Sequence, residues 1–162
     1  MKEKIVKAER LGAIGNEMRG AGRKLVLTNG CFDLLHVGHV RYLQAARALG
    51  DALAVAINGD ESVRALKGEG RPLNREADRA EMMAALECVD YVIIFTEVRA
   101  SQLLAKVRPA IYVKGGDYTR KSLHPEERAA LDQAGTEIRI LPFETGHSTS
   151  GLIERIKKTG AT

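Results

Sequence analysis

The chain has 162 residues, of which 44% are hydrophobic and 28% are charged, with a formal net charge of +4. This length fits one domain with its own hydrophobic core. Basic residues are spread along the chain and aromatic residues make up only 4%, so the basic blocks and stacking rings of a nucleic-acid surface are not indicated. The longest wholly apolar run, residues 52–57, is far shorter than the ~20 residues of a membrane-spanning helix.

Two features bear on the cellular compartment. Residues 1–4 are followed by alternating charges and not by the apolar region of a signal peptide. Cys31 and Cys88 are too few for a disulfide framework and fit a reducing environment. We therefore expect a cytoplasmic protein that is not bound to a membrane.

Helix-like and strand-like segments alternate along the chain. Apolar residues at helical spacing predict a helix over 3–19, which Gly12 and Gly15 weaken. Strands are predicted at 24–28, 52–58, 91–95, 111–113 and 137–141. Further helices are predicted at 37–49, 61–66, 75–86, 101–106, 125–134 and 150–157.

This alternation indicates the α/β class, with a Rossmann-like, doubly wound parallel sheet of five strands. We expect a single domain over 1–162, with a helix and lead-in at 1–22 and the core at 23–158. Ligands of such sheets bind beyond the carboxyl ends of the strands, where the strand order reverses. Three segments rich in glycine and polar residues each follow a predicted strand: 29–39, 114–118 and 145–150. They converge if the first, fourth and fifth strands are neighbours.

The most informative stretch is Thr28-Asn-Gly-Cys-Phe-Asp-Leu-Leu-His-Val-Gly-His39. A helix from Val37 would place His36 and His39 at its first turn, where free N–H groups and the helix dipole favour an anion. Gly38 leaves the backbone open to a phosphate, and both imidazoles can donate to phosphate oxygens in a transition state. The pattern favours phosphoryl or nucleotidyl transfer. A metal site of Asp33 with the two histidines is a less favoured alternative.

Two further segments offer phosphate contacts. Lys114-Gly-Gly-Asp-Tyr118 combines a positive charge with glycines that let the backbone approach a ligand, and Asp117 can accept from sugar hydroxyls. An ordinary turn is the alternative. Ser148, Thr149 and Ser150 open the last predicted helix, where hydroxyl and N–H groups can bind phosphates or simply cap the helix.

The loop 67–72, together with Arg79, concentrates positive charge. Beside a nucleotide site this charge would hold a second substrate's phosphate and the leaving pyrophosphate, whereas by itself it indicates a solvated loop. The chain contains no P-loop, dinucleotide-binding or nucleophile-elbow motif. A phosphate monoester is already an anionic nucleophile, so alignment and charge stabilisation with Mg²⁺ suffice for catalysis.

These motifs resemble the nucleotidyltransferase superfamily with the His-x-Gly-His signature. Within it, the chain is most similar to the D-glycero-β-D-manno-heptose 1-phosphate adenylyltransferase family, over residues 23–156. The resemblance implies that ATP and heptose 1-phosphate give ADP-heptose and pyrophosphate, for lipopolysaccharide core precursor synthesis. It implies Mg²⁺ on the ATP phosphates, with no protein metal ligand, and is compatible with a homodimer.

The motifs and the resemblance together imply a role for each site residue. The catalytic residues are His36, His39 and Lys114. The two histidines also bind ATP, together with Asn29, Gly30, Cys31, Phe32, Gly38, Gly116, Asp117, Ser148, Thr149 and Ser150. The residues expected to bind the second substrate are Asp33, Asp60, Lys67, Arg71 and Arg79.

Three alternatives stay open. Glycerol-phosphate cytidylyltransferases are similar in the first motif, but they carry an Arg near the position of Phe143 and a Trp-bearing version of the Gly-Gly-Asp-Tyr motif. Both differences favour the heptose family. A nucleotide-binding module without turnover is the second alternative, and a nucleic-acid binder, supported only by the net charge, is the third. The expected partners are the small molecules ATP and a sugar 1-phosphate, with no nucleic acid and no membrane.

Overall fold

The computed structural model describes residues 2–142 and 144–160. In these described residues, a short 3₁₀ turn, Lys2–Lys4, is followed by five strands and seven helices. The strands are β1 (Leu25–Gly30), β2 (Ala52–Asn58), β3 (Tyr91–Phe95), β4 (Ile111–Gly115) and β5 (Glu137–Leu141). The helices are α1 (Ala8–Gly20), α2 (Val37–Arg47), α3 (Asp60–Lys67), α4 (Glu76–Ala85), α5 (Ser101–Val107), α6 (Pro125–Ala134) and α7 (Thr149–Thr159).

The strands form one parallel sheet in the order β3-β2-β1-β4-β5. The chain moves outward from β1 to β3 and then returns to the other side of β1, so the strand order reverses between β1 and β4. This confirms the doubly wound α/β fold predicted from the sequence. It also confirms that the first, fourth and fifth strands are neighbours, which brings the loops after β1, β4 and β5 to one edge of the sheet.

Hydrophobic side chains cover both faces of the sheet. Along β1, Leu25 and Leu27 pack on the face covered by α1, α5 and α6, while Val26 packs on the face covered by α2 and α4. This alternation follows from the two-residue period of a strand. Within residues 2–142 and 144–160, none of the helices has the length and apolar content that crossing a bilayer requires.

The N-terminal helix begins later than its apolar spacing predicts. Ile5 forms a parallel bridge to Val92, and the Val6 N–H donates to the Val92 carbonyl over 2.9 Å. Pairing with the open edge of β3 therefore overrides local helical spacing in this segment. Gly15, which weakened the helix prediction, has a packing role, because a Cβ there would lie 2.5 Å from the Val107 carbonyl oxygen of α5.

Candidate active site at the edge of the sheet

The two histidines of the first motif lie side by side where α2 begins. His36 is the N-cap, with an extended backbone conformation (φ −139°, ψ 170°), and its carbonyl accepts from the His39 N–H over 2.9 Å. The His36 N–H points to Nδ1 of His39 at 3.4 Å, and the two imidazole rings stack with centroids 3.9 Å apart. The sequence placed both rings at the first turn of a helix, and the structure brings them together there.

Their protonation states follow from these contacts. Because Nδ1 of His39 accepts from the His36 N–H, the ring proton of His39 lies on Nε2. Burial, followed by the neighbouring His36, lowers the pKa of His39 to about 4, and burial followed by His147 also lowers the pKa of His36. Both rings are therefore neutral near pH 7, and each offers an N–H donor to an incoming anion.

Gly38 is required by the packing of the histidines. A Cβ at this position would lie 2.9 Å from both Cε1 and Nδ1 of His36 and 3.1 Å from Cβ of His147. Nδ1 of His36 is buried and has no hydrogen-bond partner among the described residues. His147, whose ring lies parallel to that of His36 at 6.4 Å, thus belongs to the same cluster. No role for His147 was predicted from the sequence, because its contact with Gly38 spans more than a hundred residues.

Tyr42 ties α2 to the sheet. Its hydroxyl lies 2.8 Å from Oγ1 of Thr28 on β1 and donates to the Val113 carbonyl of β4 over 3.2 Å. Thr28 donates to the same carbonyl over 3.0 Å. Burial raises the pKa of Tyr42 to about 12, so the phenol stays neutral. These contacts fix the helix that carries His39 relative to the strand that carries Lys114; a lone Tyr in an apolar helix gave no signal of this role.

The loop after β1 has a strained backbone next to the histidines. Phe32 adopts a left-handed conformation, with φ of 46°, which is rare for a bulky side chain and recurs at functional sites. Its buried ring packs edge-on against His39, with centroids 5.5 Å apart. Asn29 accepts from the Tyr112 hydroxyl, and burial raises the pKa of the Cys31 thiol. The thiol is therefore neutral near pH 7.

Lys114 lies at the end of β4 and is only 9% exposed. Its Nζ is 4.7 Å from the centroid of the Tyr118 ring and 5.8 Å from that of Tyr112. Burial lowers its pKa, yet the cation is stabilised by the two ring faces. Asp117 is exposed, whereas the Gly116 N–H donates to the Leu141 carbonyl of β5 over 2.7 Å. The Gly116 N–H therefore joins the ends of two strands, and the contact with ATP predicted for this residue stays a prediction.

The start of α7 lies against the loop that precedes His36. Ser148 caps the helix, with Oγ accepting from the Gly151 N–H over 3.0 Å, and Thr149 donates to the Leu34 carbonyl over 3.3 Å. Both hydroxyls thus serve capping and tethering, while Ser150 is exposed. Phe143, on which one sequence-based argument against the glycerol-phosphate enzymes depends, lies outside the described residues.

A buried network joins the loop after β1 to segment 71–74. Asp33 accepts from Nε of Arg71 (2.8 Å) and from the N–H groups of Leu73 (2.8 Å) and Asn74 (2.8 Å). Burial works to raise the pKa of Asp33, but these hydrogen bonds and the Arg71 charge more than offset it, so the pKa is lowered. The Asp33 side chain is 1% exposed. It anchors the loop to segment 71–74, and the contact with the second substrate that the sequence predicted for it stays a prediction.

Arg79 also departs from its predicted role. Its side chain is fully buried, and the guanidinium donates to the carbonyls of Cys31 (2.7 Å) and Asn74 (3.0 Å) and to Oδ1 of Asp60 (2.8 Å). A fully buried guanidinium that already donates to three protein acceptors is poorly placed to hold a substrate phosphate. Sequence spacing suggested a mobile charge in or near the loop, whereas the structure shows a fixed support for three segments.

The metal alternative finds no support in this geometry. Among residues 2–142 and 144–160, no group of three or more His, Cys, Asp or Glu side chains is close enough together to hold a metal ion. The Asp33 carboxylate already binds Arg71 and two backbone N–H groups. It is therefore not available as a third ligand beside His36 and His39.

A cavity of about 410 Å³ lies on the β2 side of the site. It is bounded by α3 and by the segment that leads into α4. The lining residues are Asp60, Arg64, Gly70, Arg71, Pro72, Leu73 and Arg75. Lys67, predicted to bind the second substrate, is exposed at the end of α3, and its charge opposes the rise in the pKa of Cys31.

The doubly wound sheet, with a neutral histidine pair at the helix that follows its first strand, defines a nucleotidyltransferase. The chain belongs to the cytidylyltransferase-like family, whose model matches residues 27–155. It is similar to the bifunctional protein HldE of Geobacter metallireducens, with 46% identity over 94% of this chain and 31% of that protein. The HldE of Citrifermentans bemidjiense is 50% identical over 83% of this chain and 27% of that protein. The chain thus spans less than a third of the length of these relatives.

Solved structures agree on the fold. A lipopolysaccharide core biosynthesis protein from Thermoplasma volcanium superposes with a TM-score of 0.62 at 27% identity, over 76% of this chain and 98% of that one. A pantoate-beta-alanine ligase from Francisella tularensis, complexed with beta-gamma ATP and beta-alanine, gives a TM-score of 0.57 at 17% identity, over 91% of this chain and 69% of that one. At this identity the second similarity concerns the fold alone.

Proposed function

We propose that this chain transfers AMP from ATP to D-glycero-β-D-manno-heptose 1-phosphate, giving ADP-heptose and pyrophosphate for lipopolysaccharide core synthesis. The observation that carries the proposal is the stacked, neutral pair His36 and His39 at the N-terminus of α2. Similarity to the HldE proteins over 94% of the chain supports the choice of acceptor. The name of the Thermoplasma volcanium protein places that neighbour in the same biosynthesis.

In this proposal an oxygen of the sugar phosphate attacks the α-phosphorus of ATP. The bond to the bridging oxygen between the α- and β-phosphates breaks, and pyrophosphate leaves. No proton has to be removed from the nucleophile, since a phosphate monoester is anionic at neutral pH. The N–H donors of His36 and His39 stabilise the charge that grows on the α-phosphate oxygens, and the Lys114 ammonium adds a positive charge on the β4 side.

The loop after β1 would hold the nucleotide through Asn29, Gly30 and the backbone of Cys31 and Phe32. The N-terminus of α7 would bind the distal phosphates, because its free N–H groups and dipole favour anions. Mg²⁺ bound to the ATP phosphates would neutralise part of their charge.

A pyrophosphate-release assay tests the proposal. Protein, ATP, Mg²⁺ and heptose 1-phosphate should release pyrophosphate, and His39→Ala should lower the rate at least a hundredfold, because a charge-stabilising donor is lost. His124→Ala is the matched control, since His124 is a partly exposed helix cap of α6 outside the cluster of His36 and His39. Release from CTP and glycerol 3-phosphate alone would favour the glycerol-phosphate alternative. Nucleotide binding that survives His39→Ala, without product in any mixture, would favour a binding module.

A further inference from the structure

The arginine-lined cavity beside β2 has polar chemistry that the nucleotide site does not use. Its lining residues carry three guanidinium groups, one carboxylate and the peptide groups of segment 70–73. Leu73, 55% exposed, adds an apolar patch. Sugar hydroxyls both donate and accept hydrogen bonds and lie beside apolar C–H groups, so a wall of this composition suits a sugar. The volume of about 410 Å³ lies within the usual range of small-molecule sites.

The charged groups of the cavity differ in whether other protein groups already bind them. Nε of Arg71 donates to Asp33, and Oδ1 of Asp60 accepts from Arg79, so Arg71 and Asp60 are fixed in place. Arg64 pairs with Glu61 at the surface and is about half exposed. Arg75 precedes α4, is exposed, and pairs with no carboxylate among the described residues. Donor capacity is therefore left over on Arg64 and Arg75.

The position of the cavity fits the geometry of the proposed reaction. In a displacement at phosphorus, the attacking and leaving oxygens lie on opposite sides of the phosphorus atom. The N-terminus of α7, proposed to receive the leaving pyrophosphate, follows β5 on one side of β1. Asp60 follows β2 on the other side. The acceptor thus approaches from the β2 side, where the cavity lies.

We propose that this cavity binds the hydroxyl-bearing part of a phosphorylated sugar or polyol acceptor, and that Arg64 and Arg75 determine its affinity. The inference rests on the proposed function in that the second substrate carries its own phosphate to the histidines. Neither arginine belongs to a sequence motif of the site. Asp60 and Arg71, held by their ion pairs, form the rigid wall against which the acceptor is placed.

The test measures the KM for the acceptor and the KM for ATP separately. Arg75→Ala and Arg64→Ala should each raise the KM for heptose 1-phosphate about tenfold, because a charge-assisted hydrogen bond is lost. The double variant should raise it by more than either single change. The KM for ATP, and kcat at saturating acceptor, should stay within twofold of the parent. Arg10→Ala, on the exposed face of α1, is the control and should change none of these quantities.

Each result either supports or overturns the assignment of the cavity as the acceptor site. An unchanged acceptor KM in the double variant, or an equal rise in the KM for ATP, would overturn the inference. If turnover occurs only with CTP and glycerol 3-phosphate, the proposed function fails. A raised KM for glycerol 3-phosphate in Arg75→Ala would still support the cavity as the acceptor site. If no acceptor is turned over, the affinity of heptose 1-phosphate for the parent and for the double variant is measured by calorimetry. Weaker binding to the double variant would support the inference, and equal affinity would refute it.

Discussion

Replacing Arg79 by methionine removes a fully buried guanidinium and keeps a long, flexible side chain in its place. The change leaves Asp60 without its partner and removes the donors to the carbonyls of Cys31 and Asn74. Because these three acceptors lie in different loops, the substitution disconnects the loop after β1 from the start of α3 and from the segment before α4. We therefore expect a loss of stability together with weaker ATP binding.

The magnitude follows from the burial of each partner. Removing one member of a buried ion pair costs about 3–5 kcal/mol. The Asp60 side chain is 31% exposed, so water can solvate part of its charge, which favours the lower end at about 3 kcal/mol. For a domain of this size, 1 kcal/mol corresponds to roughly 2–4 °C in Tm. Arg79→Met should therefore lower Tm by roughly 6–12 °C.

Urea unfolding, monitored by circular dichroism, measures the free energy of unfolding. Isothermal titration calorimetry measures the affinity for ATP. Adding Asp60→Asn to Arg79→Met should recover part of the lost stability, because the unpaired charge is gone. The surface control Arg64→Met should change the free energy of unfolding by less than about 0.5 kcal/mol, since exposed ion pairs contribute little. An Arg79→Met protein within 1 kcal/mol of the parent would refute the supporting role of Arg79.

Three further predictions concern α2. Gly38→Ala should lower pyrophosphate release more than tenfold, because its Cβ would lie 2.9 Å from the His36 ring; parent-like turnover would show that the ring can move without cost. The pKa of His39 is about 4 in the folded protein and about 6.5 in the unfolded chain. The free energy of unfolding should therefore be highest above pH 6.5 and fall as the pH drops towards 4, because His39 takes up a proton more readily when unfolded. This loss, about 2 kcal/mol after allowance for partial exposure, should shrink in His39→Gln when urea unfolding is compared at pH 7.5 and 4.5. Tyr42→Phe removes the hydroxyl beside Thr28 and should cost about 1 kcal/mol with a lower kcat and little change in the KM for ATP; unchanged kcat would contradict its role in placing the helix.

Local sequence patterns predicted the sheet and the histidine pair well. The strands are short and apolar, and a two-residue period with helices between them leaves few other arrangements. His36 and His39 are three residues apart beside a glycine, so one helical turn brings them together. The first motif was therefore sufficient to predict the histidine pair, because both residues lie close together in sequence.

The sequence could not reveal how charges separated along the chain would pair. Asp33 binds groups about 40 residues away, and Arg79 reaches Cys31 across 48 positions. The motifs and the resemblance implied only that both residues bind the second substrate. Their pairing emerges only when the strand order places the loops after β1 and β2 side by side. Tyr42 was overlooked for the same reason, since its partners lie on β1 and β4.

The weak attachment of α7 has a consequence for the turnover cycle. Within α7, all of whose residues are described, no side chain is buried, and its first turn is tethered through Thr149 to Leu34. A helix with so little burial opens at a small fraction of the global unfolding free energy. Its amide hydrogens should exchange much faster than those of β1. An anion held at its N-terminus would slow that exchange, and departure of the anion would let the helix fray again, so the release of the proposed product is coupled to loosening of the chain's last helix.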